Sequence, residues 1–562
     1  MKRFFLLLAL ALPLIAGCGK NDDNDTPSEP SGEQAFPQHE GFYRIYTVDQ
    51  TGWDALCLYM YGSTNNLGGN WPGMKPAGTL TVKGQEYTYF QVSVDDAAGE
   101  KEQLIFNNGA GAQIPSSGEP SVSFAEKADL FFTVTADKAT ALNITTEWTV
   151  DTTPKPVTAE AKKVQTLPAS SRIMGRIYQV NPKLYGASGA FGKIQARLDD
   201  IAALGTDIFY LMPVYEQGKV KSIGSPYCIK DFTALNTSYG TMDELKSLVD
   251  AAHEKGMKVL FDWVPNHTAW DCSWTTDHKD WYAQDASGNI VCPTADGTWT
   301  DVAQLNYESA DLRAAMTDAL QYWITEVGID GYRCDYAHGP TGSKSGPMDA
   351  FWKEAIPALE ELQPGLIMLA ESDFNKMFDD GFDIIFSRAA RSRLMSGFGK
   401  DLTTFFSTVS QALNSAPATG SPLLFVTNHD EYSNTTPASD FNSKEGARAA
   451  FLLMRALPAA TMLYGPQEIA YNATIDFCKT MTVSWSSDAA YLTSMKEALT
   501  TLGEIDRTQA CDVYVAGPAA IVCYGSHGLM VNTAAAETTV TGLKTVTGDE
   551  QVVLQGYGYR IF

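Results

Sequence analysis

The sequence predicts a multidomain protein: an N-terminal β-sandwich, a central (β/α)8 TIM barrel with a subdomain inserted after its third strand, and a C-terminal all-β domain. Three observations predict it. The chain has 562 residues, well beyond the ~150 residues of an average domain. Between about residues 172 and 482, eight apolar runs of strand length alternate with helical patterns, as parallel strands joined by helices do. On either side the texture is short alternating strands broken by Gly, Asn and Pro.

In chain order, Lys2 and Arg3 precede the apolar run Phe4 to Ile15 and the small residues Ala16-Gly17. A positive start, a short apolar core and small residues before a cut predict a signal peptide over residues 1–17. The run is too short to span a bilayer, which takes ~20 residues. Leu14-Ile15-Ala16-Gly17-Cys18 resembles a bacterial lipobox, which implies a lipid anchor on Cys18. The polar stretch over 18–35 cannot bury a core and is read as a flexible tether. Its start, Asn21-Asp22-Asp23-Asn24-Asp25, resembles the acidic signal of some Gram-negative surface lipoproteins, which implies an outer-membrane lipoprotein at the cell surface.

Residues 36–150 carry the sandwich pattern, for example Leu56 to Tyr61 and Leu130 to Val134. Residues 151–171, with Pro154, Pro156 and Pro168, read as a linker. The eight barrel runs are Arg176–Val180, Ile208–Met212, Lys258–Trp263, Ile329–Asp335, Leu366–Glu371, Phe382–Phe386, Leu423–Asn428 and Thr461–Tyr464. One helix is marked at both ends. Thr241 and Glu244 make a capping box, Leu245, Leu248, Val249 and Ala252 form its apolar stripe, and Gly256 closes it. Residues 268–306 lack periodicity and predict an inserted subdomain. From 483 to 562 strand-like alternation returns.

Lys and Arg total 41 against 66 Asp and Glu, a formal net charge of −25. Such a surface repels phosphate backbones, so no nucleic-acid partner is expected. A neutral polymer is not excluded, and 11 Trp and 25 Tyr supply flat apolar rings for one. The eight cysteines after Cys18 lack CxxC spacing, which argues against zinc. Only Cys272–Cys292 and Cys511–Cys523 are close enough in sequence to predict disulfide loops, and free buried thiols are the default.

In a (β/α)8 barrel the active site lies at the C-terminal ends of the strands. Here the third run leads into Asp262-Trp263-Val264-Pro265-Asn266-His267, and the fourth ends Gly331-Tyr332-Arg333-Cys334-Asp335. The fifth ends Leu369-Ala370-Glu371 and the seventh Thr427-Asn428-His429-Asp430. Ionisable groups at the ends of buried strands are costly unless they serve a shared site. Carboxylates, an Arg and two His converging on one barrel mouth suit glycosidic-bond cleavage, in which one carboxylate attacks and another shuttles a proton.

These four segments resemble, in order and spacing, the four signature regions of the α-amylase family of glycoside hydrolases. Ser225-Pro226-Tyr227 with Asp231, and Ser238-Tyr239-Gly240-Thr241, resemble that family's stretch after the second strand. The resemblance covers about residues 172–472. It implies Asp335 as nucleophile, Glu371 as general acid/base and Asp430 as the third carboxylate, which stabilises the transition state. It further implies Tyr227, His267, Arg333 and His429 as substrate-site residues, and Asp262 as a structural partner. Arg333, two residues before Asp335 on one strand face, is expected to keep that nucleophile ionised, and Glu371 is expected to have a raised pKa.

Two positions depart from the family pattern. Where Lys-His often follows the nucleophile, this chain has His338-Gly339, so His338 is carried over as an acceptor-side contact of altered chemistry. Many relatives hold a structural Ca2+ between barrel and insertion, through the Asn of the first motif and an Asp late in the insertion. Asn266 is present, whereas Gln304-Leu305-Asn306 offers Asn306 for that Asp. An amide oxygen remains a ligand for a hard cation, so Ca2+ at Asn266 and Asn306 is the cofactor expectation.

In the N-terminal region, Tyr59-Met60-Tyr61, Asn70-Trp71-Pro72-Gly73-Met74 and Leu104 to Gly109 resemble a starch-binding β-sandwich module. Tyr59 and Tyr61 share a strand face, and Trp71 is placed to complete a platform. The resemblances together imply an endo-acting, retaining α-amylase acting on starch and maltooligosaccharides, anchored to a membrane by lipid and working within a surface starch-uptake assembly. The same motifs serve a neopullulanase- or cyclomaltodextrinase-like hydrolase or a transglycosylase. A non-catalytic surface starch-binding lipoprotein would have lost a carboxylate, and a sugar-barrel isomerase or lyase would show a metal cluster.

Overall fold

The structure, a computed structural model, describes residue 36 and residues 42–61, 67, 69–93, 103–116, 122–123, 129–144, 155–169, 174–294, 298–340 and 347–562. The signal peptide, the tether and Cys18 lie outside the described residues. The chain divides into two compact units, Met1–Thr153 and Pro154–Phe562.

In the first unit, one sheet runs in the order Gly78–Val82, Gln85–Ser93, Phe42–Gln50, Leu130–Thr135 and Ala139–Ala141. A second sheet joins Cys57–Tyr61 to Gln103–Asn107, with Gln113–Ile114 and Val122–Ser123 also paired to the latter. Both sheets send side chains into one core. Ile45, Phe90, Val92, Phe132 and Val134 come from the first, and Leu58, Met60, Leu104 and Phe106 from the second. The spacing of two along each strand is the pleat's period, which leaves the intervening side chains on the other face.

The second unit contains a closed barrel of eight parallel strands. They are β1 (Arg176–Val180), β2 (Ile208–Leu211), β3 (Lys258–Trp263), β4 (Gly331–Cys334), β5 (Ile367–Ala370), β6 (Ile384–Phe386), β7 (Ser421–Phe425) and β8 (Ala460–Tyr464). All eight lie within a residue or three of the runs read from the sequence. Their near-continuous apolar character follows from burial on both faces, by the barrel interior and by helices. Pairing of Arg176 with Thr461 closes the ring. The helix Met242–Glu254 carries the predicted capping box, and Leu245, Leu248, Val249 and Ala252 are buried. Residues 268–306 form an excursion between β3 and the helix Ala310–Val327, tied at its base by pairing of His267–Ala269 with Val302–Gln304.

Two boundaries need correction. The expected linker over 151–171 contains strands Val157–Glu160 and Lys162–Leu167, which pair with Thr538–Thr541 and Cys511–Ala516. The prolines that marked it as a loop, Pro156 and Pro168, stand just outside these strands, where the missing N–H removes no ladder bond. The C-terminal region is not purely β. It holds helix Ala489–Gly503, capped by Asp488 and buried through Tyr491, Met495, Ala498, Leu499 and Leu502. Apolar residues at helical spacing there had been subsumed under the later strands. The terminal sheet runs Lys162–Leu167, Cys511–Ala516, Ala519–Tyr524, His527–Asn532 and Tyr559–Ile561. All eight described cysteines are free, so neither candidate disulfide loop is formed. Among the described residues no helix is long and apolar enough to cross a membrane.

Candidate active site

The barrel mouth is organised around one buried guanidinium. Asp262 and Arg333 lie in register on β3 and β4, so their side chains emerge next to each other. Arg333, only 1% exposed, donates from one terminal nitrogen to Asp262 Oδ1 at 2.6 Å and to Asp335 Oδ1 at 3.1 Å. Its other terminal nitrogen pairs with Glu371 Oε2 at 2.9 Å. One cation thus sits among three carboxylates. Asp335 and Glu371 extend the neighbouring strands β4 and β5 by one residue each, and the Glu371 N–H still donates to Cys334 O at 2.9 Å. Asp262, fully buried, also accepts from the Tyr210 and Tyr227 hydroxyls, the role of structural partner expected for it.

The histidines are fixed as neutral rings. Gln179 Nε2 lies 2.9 Å from His429 Nδ1, and the Tyr227 hydroxyl lies 2.8 Å from His429 Nε2. An amide N–H can only donate, so Nδ1 accepts and Nε2 carries the proton. A relay follows, from Gln179 through His429 and Tyr227 to Asp262. Burial and the Arg333 charge push His429 down to about 3, and burial pushes His267 down to about 4. His267 Nε2 faces Tyr227 O at 3.2 Å.

A cavity of about 300 Å³ opens over this floor, lined by Tyr227, His267, Asp335, Glu371, His429 and Asp430 among others. Six of the residues singled out in the sequence therefore meet at one surface. Asp430 is the most accessible of the carboxylates, with a side chain 49% exposed. His338 does not line the cavity. Its ring is tilted at 53° to Tyr336, with centroids 4.3 Å apart, and meets Phe374 edge-on at 5.1 Å.

The protonation pattern differs from the one expected. Glu371 is not raised but lowered to about 2: burial alone would raise it, and Arg333, Arg388 and the Tyr336 N–H outweigh burial. Asp335 is raised, by burial and by the Glu371 charge, against the pull of Arg333. Two guanidiniums on Glu371 and one on Asp335 favour Asp335 over Glu371 as the protonated member of the pair. Asp430 is raised by burial and by Glu371. The residue missed in the sequence is Arg388, two positions beyond the end of β6, whose terminal nitrogen donates to Glu371 Oε1 at 2.7 Å. A basic residue just past a barrel strand was the available signal. Trp299, from the insertion, was also missed; it lines the cavity and meets the His267 ring edge-on at 5.8 Å.

The residues expected to hold calcium do not fit it. Asn266 Oδ1 accepts from Gln304 Nε2 at 3.1 Å, while Asn306 Oδ1 accepts from the Glu308 N–H. Gln304 Nε2 also faces Asn266 O at 2.8 Å and Leu305 O at 3.1 Å. An amide nitrogen thus occupies the centre of the oxygens a cation would need. No cluster of three His, Cys, Asp or Glu side chains suited to a metal occurs among the described residues.

In the first unit, Tyr59 and Tyr61 stack with centroids 6.2 Å apart at 11°, and Trp71 stands at 67° to Tyr59 at 5.4 Å. Tyr61 and Trp71 are 40% and 45% exposed. Asn107 Nδ2 donates to Pro72 O at 2.9 Å and anchors the Trp71 loop.

Residues 169–350 match the family described as alpha amylase, catalytic domain. "Alpha-amylase MalA" of Haloarcula japonica is 28% identical over 319 residues, 53% of this chain and 45% of that protein. "Cyclomaltodextrinase" of a Bacillus species is 29% identical over 188 residues, 31% of this chain and 32% of that protein. The chain thus spans less than half the length of these curated relatives. Among solved structures, a noncanonic maltogenic alpha-amylase, AmyB from Thermotoga neapolitana, superposes with a TM-score of 0.57 at 21% identity, over 68% of this chain and 97% of that one. An alpha-amylase from Lactobacillus plantarum gives 0.55 at 24% identity, over 69% and 98%. These superpositions establish the fold. The family match runs from just before β1 through β4 and into the helix that follows it.

Proposed function

We propose that the protein is an endo-acting, retaining α-amylase that hydrolyses α-1,4-glucosidic bonds in starch and maltooligosaccharides. The supporting observation is the placement of Asp335 and Glu371 side by side at the ends of two hydrogen-bonded parallel strands, on one guanidinium. Neighbouring strands lie ~4.8 Å apart, which suits the ~5 Å carboxyl separation of retaining glycosidases and leaves no room for an attacking water.

In this reading the Asp335 carboxylate attacks the anomeric carbon while Glu371 gives its proton to the departing glycosidic oxygen. Water then attacks the glycosyl ester, Glu371 takes the water's proton, and Asp335 is released. Asp430 stabilises the cationic sugar in both steps. The neutral His267 and His429 rings line the sugar cavity without adding charge, and Tyr227 offers its ring. The Tyr59, Tyr61 and Trp71 rings, tilted to one another, suit the curved apolar face of an α-1,4 chain. A lipid on Cys18, at the outer membrane and within a starch-uptake assembly, would hold the enzyme where the polymer arrives. Such tethering raises effective concentration without new contacts.

The test is digestion of amylose and pullulan in parallel. The proposal expects iodine staining of amylose to collapse before many reducing ends appear, with pullulan cleaved slowly. Faster cleavage of pullulan or of cyclodextrins than of amylose would overturn the α-amylase assignment within the same catalytic chemistry.

A further inference from the structure

Glu371 is heavily engaged for a proton donor. Its Oε2 accepts from the Tyr336 N–H at 3.0 Å and lies 2.9 Å from the Arg333 charge. Both disfavour a proton on Oε2, which leaves Oε1 as the better seat for the acid's proton. That oxygen accepts from Arg388 at 2.7 Å. As long as Arg388 stays, its charge favours the ionised form of Glu371.

The two cations on Glu371 are not equivalent. Arg333 is sealed in the floor at 1% exposure, whereas the Arg388 side chain is 40% exposed. Arg388 is held from the rim. Asp373 accepts from its terminal nitrogen and from its backbone N–H, both at 2.7 Å, and its guanidinium lies 5.1 Å from the Phe386 ring centre. Asp373 is itself 39% exposed, and the next residue, Phe374, carries the ring that packs on His338. This is an arm with an anchor at the surface and its tip on the acid/base.

We propose that Arg388 is a positioning residue that switches Glu371 between base and acid: paired with Oε1 it holds the carboxylate form, and it swings away when a sugar occupies the leaving-group side. The inference rests on the hydrolase reading above. It accounts for both half-reactions. Departure of the arm lets the proton held by the Asp335–Glu371 pair settle on Oε1, leaving Asp335 ionised for attack. Once the first product leaves, the arm's return favours the carboxylate that must take a proton from water. Proton number is conserved, because the pair holds one proton before and after the transfer. The charged and titratable groups facing Glu371 are Arg333, Arg388, Asp335, Asp430, His429 and Tyr210. Asp373 faces only the arm. Of the cations, Arg388 alone is at the rim.

The test reads Glu371 directly. In the full chain labelled with 13C at the glutamate carboxyl carbons, the Glu371 resonance is identified by its loss in Glu371→Gln. In Arg388→Gln its titration midpoint should rise by about one unit or more, the effect of removing an adjacent opposite charge. Asp373→Asn, which frees the arm but keeps its charge, should raise it less. In parallel, the alkaline limb of kcat/KM on maltooligosaccharides should move upward in the same order. An unmoved resonance in Arg388→Gln would overturn the proposal. So would a uniform loss of activity with both limbs in place, since that is what a merely packing side chain would show. A wild-type chain that cleaves no glucan while its Glu371 resonance still shifts in Arg388→Gln would sink the hydrolase reading and leave the ion-pair control of Glu371 standing.

Discussion

The barrel mouth and the tyrosine–tryptophan face of the first unit are both read here as sugar-contacting surfaces, yet they are built on opposite principles. At the mouth, Arg333, Asp262 and His429 are almost wholly buried, and the Arg333 charge and the carboxylates around it stabilise one another. On the first unit, Tyr61 and Trp71 are large, uncharged and exposed, and each ring stands on its own backbone. Low dielectric makes charges at the mouth strong enough to do chemistry and makes each dependent on its neighbours. Exposed rings gain a modest amount each from an apolar sugar face, and loss of one leaves the others in place. A single change at the mouth should therefore be catastrophic, and one on the platform graded.

The largest expected effect tests the mouth's chemistry. Asp335→Asn should lower kcat on amylose by ~10⁴-fold or more, since a nucleophile acts as part of a unit. Glu371→Gln should cost ~10²–10⁴-fold. Single-turnover assays would check both. Loss of less than tenfold in either would remove that residue from the reacting pair.

The next effect tests interdependence. Arg333→Met strips the buried cation from Asp262, Asp335 and Glu371, and should destabilise the chain by roughly 3–5 kcal/mol at neutral pH, measured by urea unfolding. Lowering the pH should recover part of this, because protonation removes the stranded charges. Unchanged stability would mean the mouth is better solvated than its burial implies.

Smaller is the effect on the platform. Trp71→Ala should weaken retention on insoluble starch about tenfold, in line with the loss of one aromatic contact, while kcat on short maltooligosaccharides stays at the wild-type value. Smallest is the response to chelation. With the Gln304 amide at the centre of the oxygens around Asn266, EDTA should leave Tm unmoved in the wild type. Gln304→Asp should create a calcium-dependent rise in Tm. A drop in wild-type Tm on chelation would place a cation where the amide stands.

The same contrast explains what was legible in the sequence. The eight strands were readable because each is a short apolar run ending at a polar signal, and the capping box at Thr241 was readable because its partners are three residues apart. Asp335 and Glu371 were readable because they extend β4 and β5 by one residue, and Asp430, in the helix after β7, because the motif around it resembles a signature region of the α-amylase family. Arg388 was not, because its effect depends on where a long, many-jointed side chain turns after leaving β6, which no local pattern fixes. For the same reason the proton was expected on Glu371. Counting carboxylates predicted repulsion, but two guanidiniums reach one of them. The strands at Val157–Glu160 and Lys162–Leu167 escaped notice because their partners lie more than 300 residues further on, a pairing that no local pattern announces.

Retention through Asp335 shows itself in the anomer first released from amylose. Proton NMR within the first minutes, before mutarotation, should show new reducing ends in the α configuration, with none formed by Asp335→Asn. Release of the β anomer would contradict the account, because it would require a water between Asp335 and Glu371 where the paired strands leave no room.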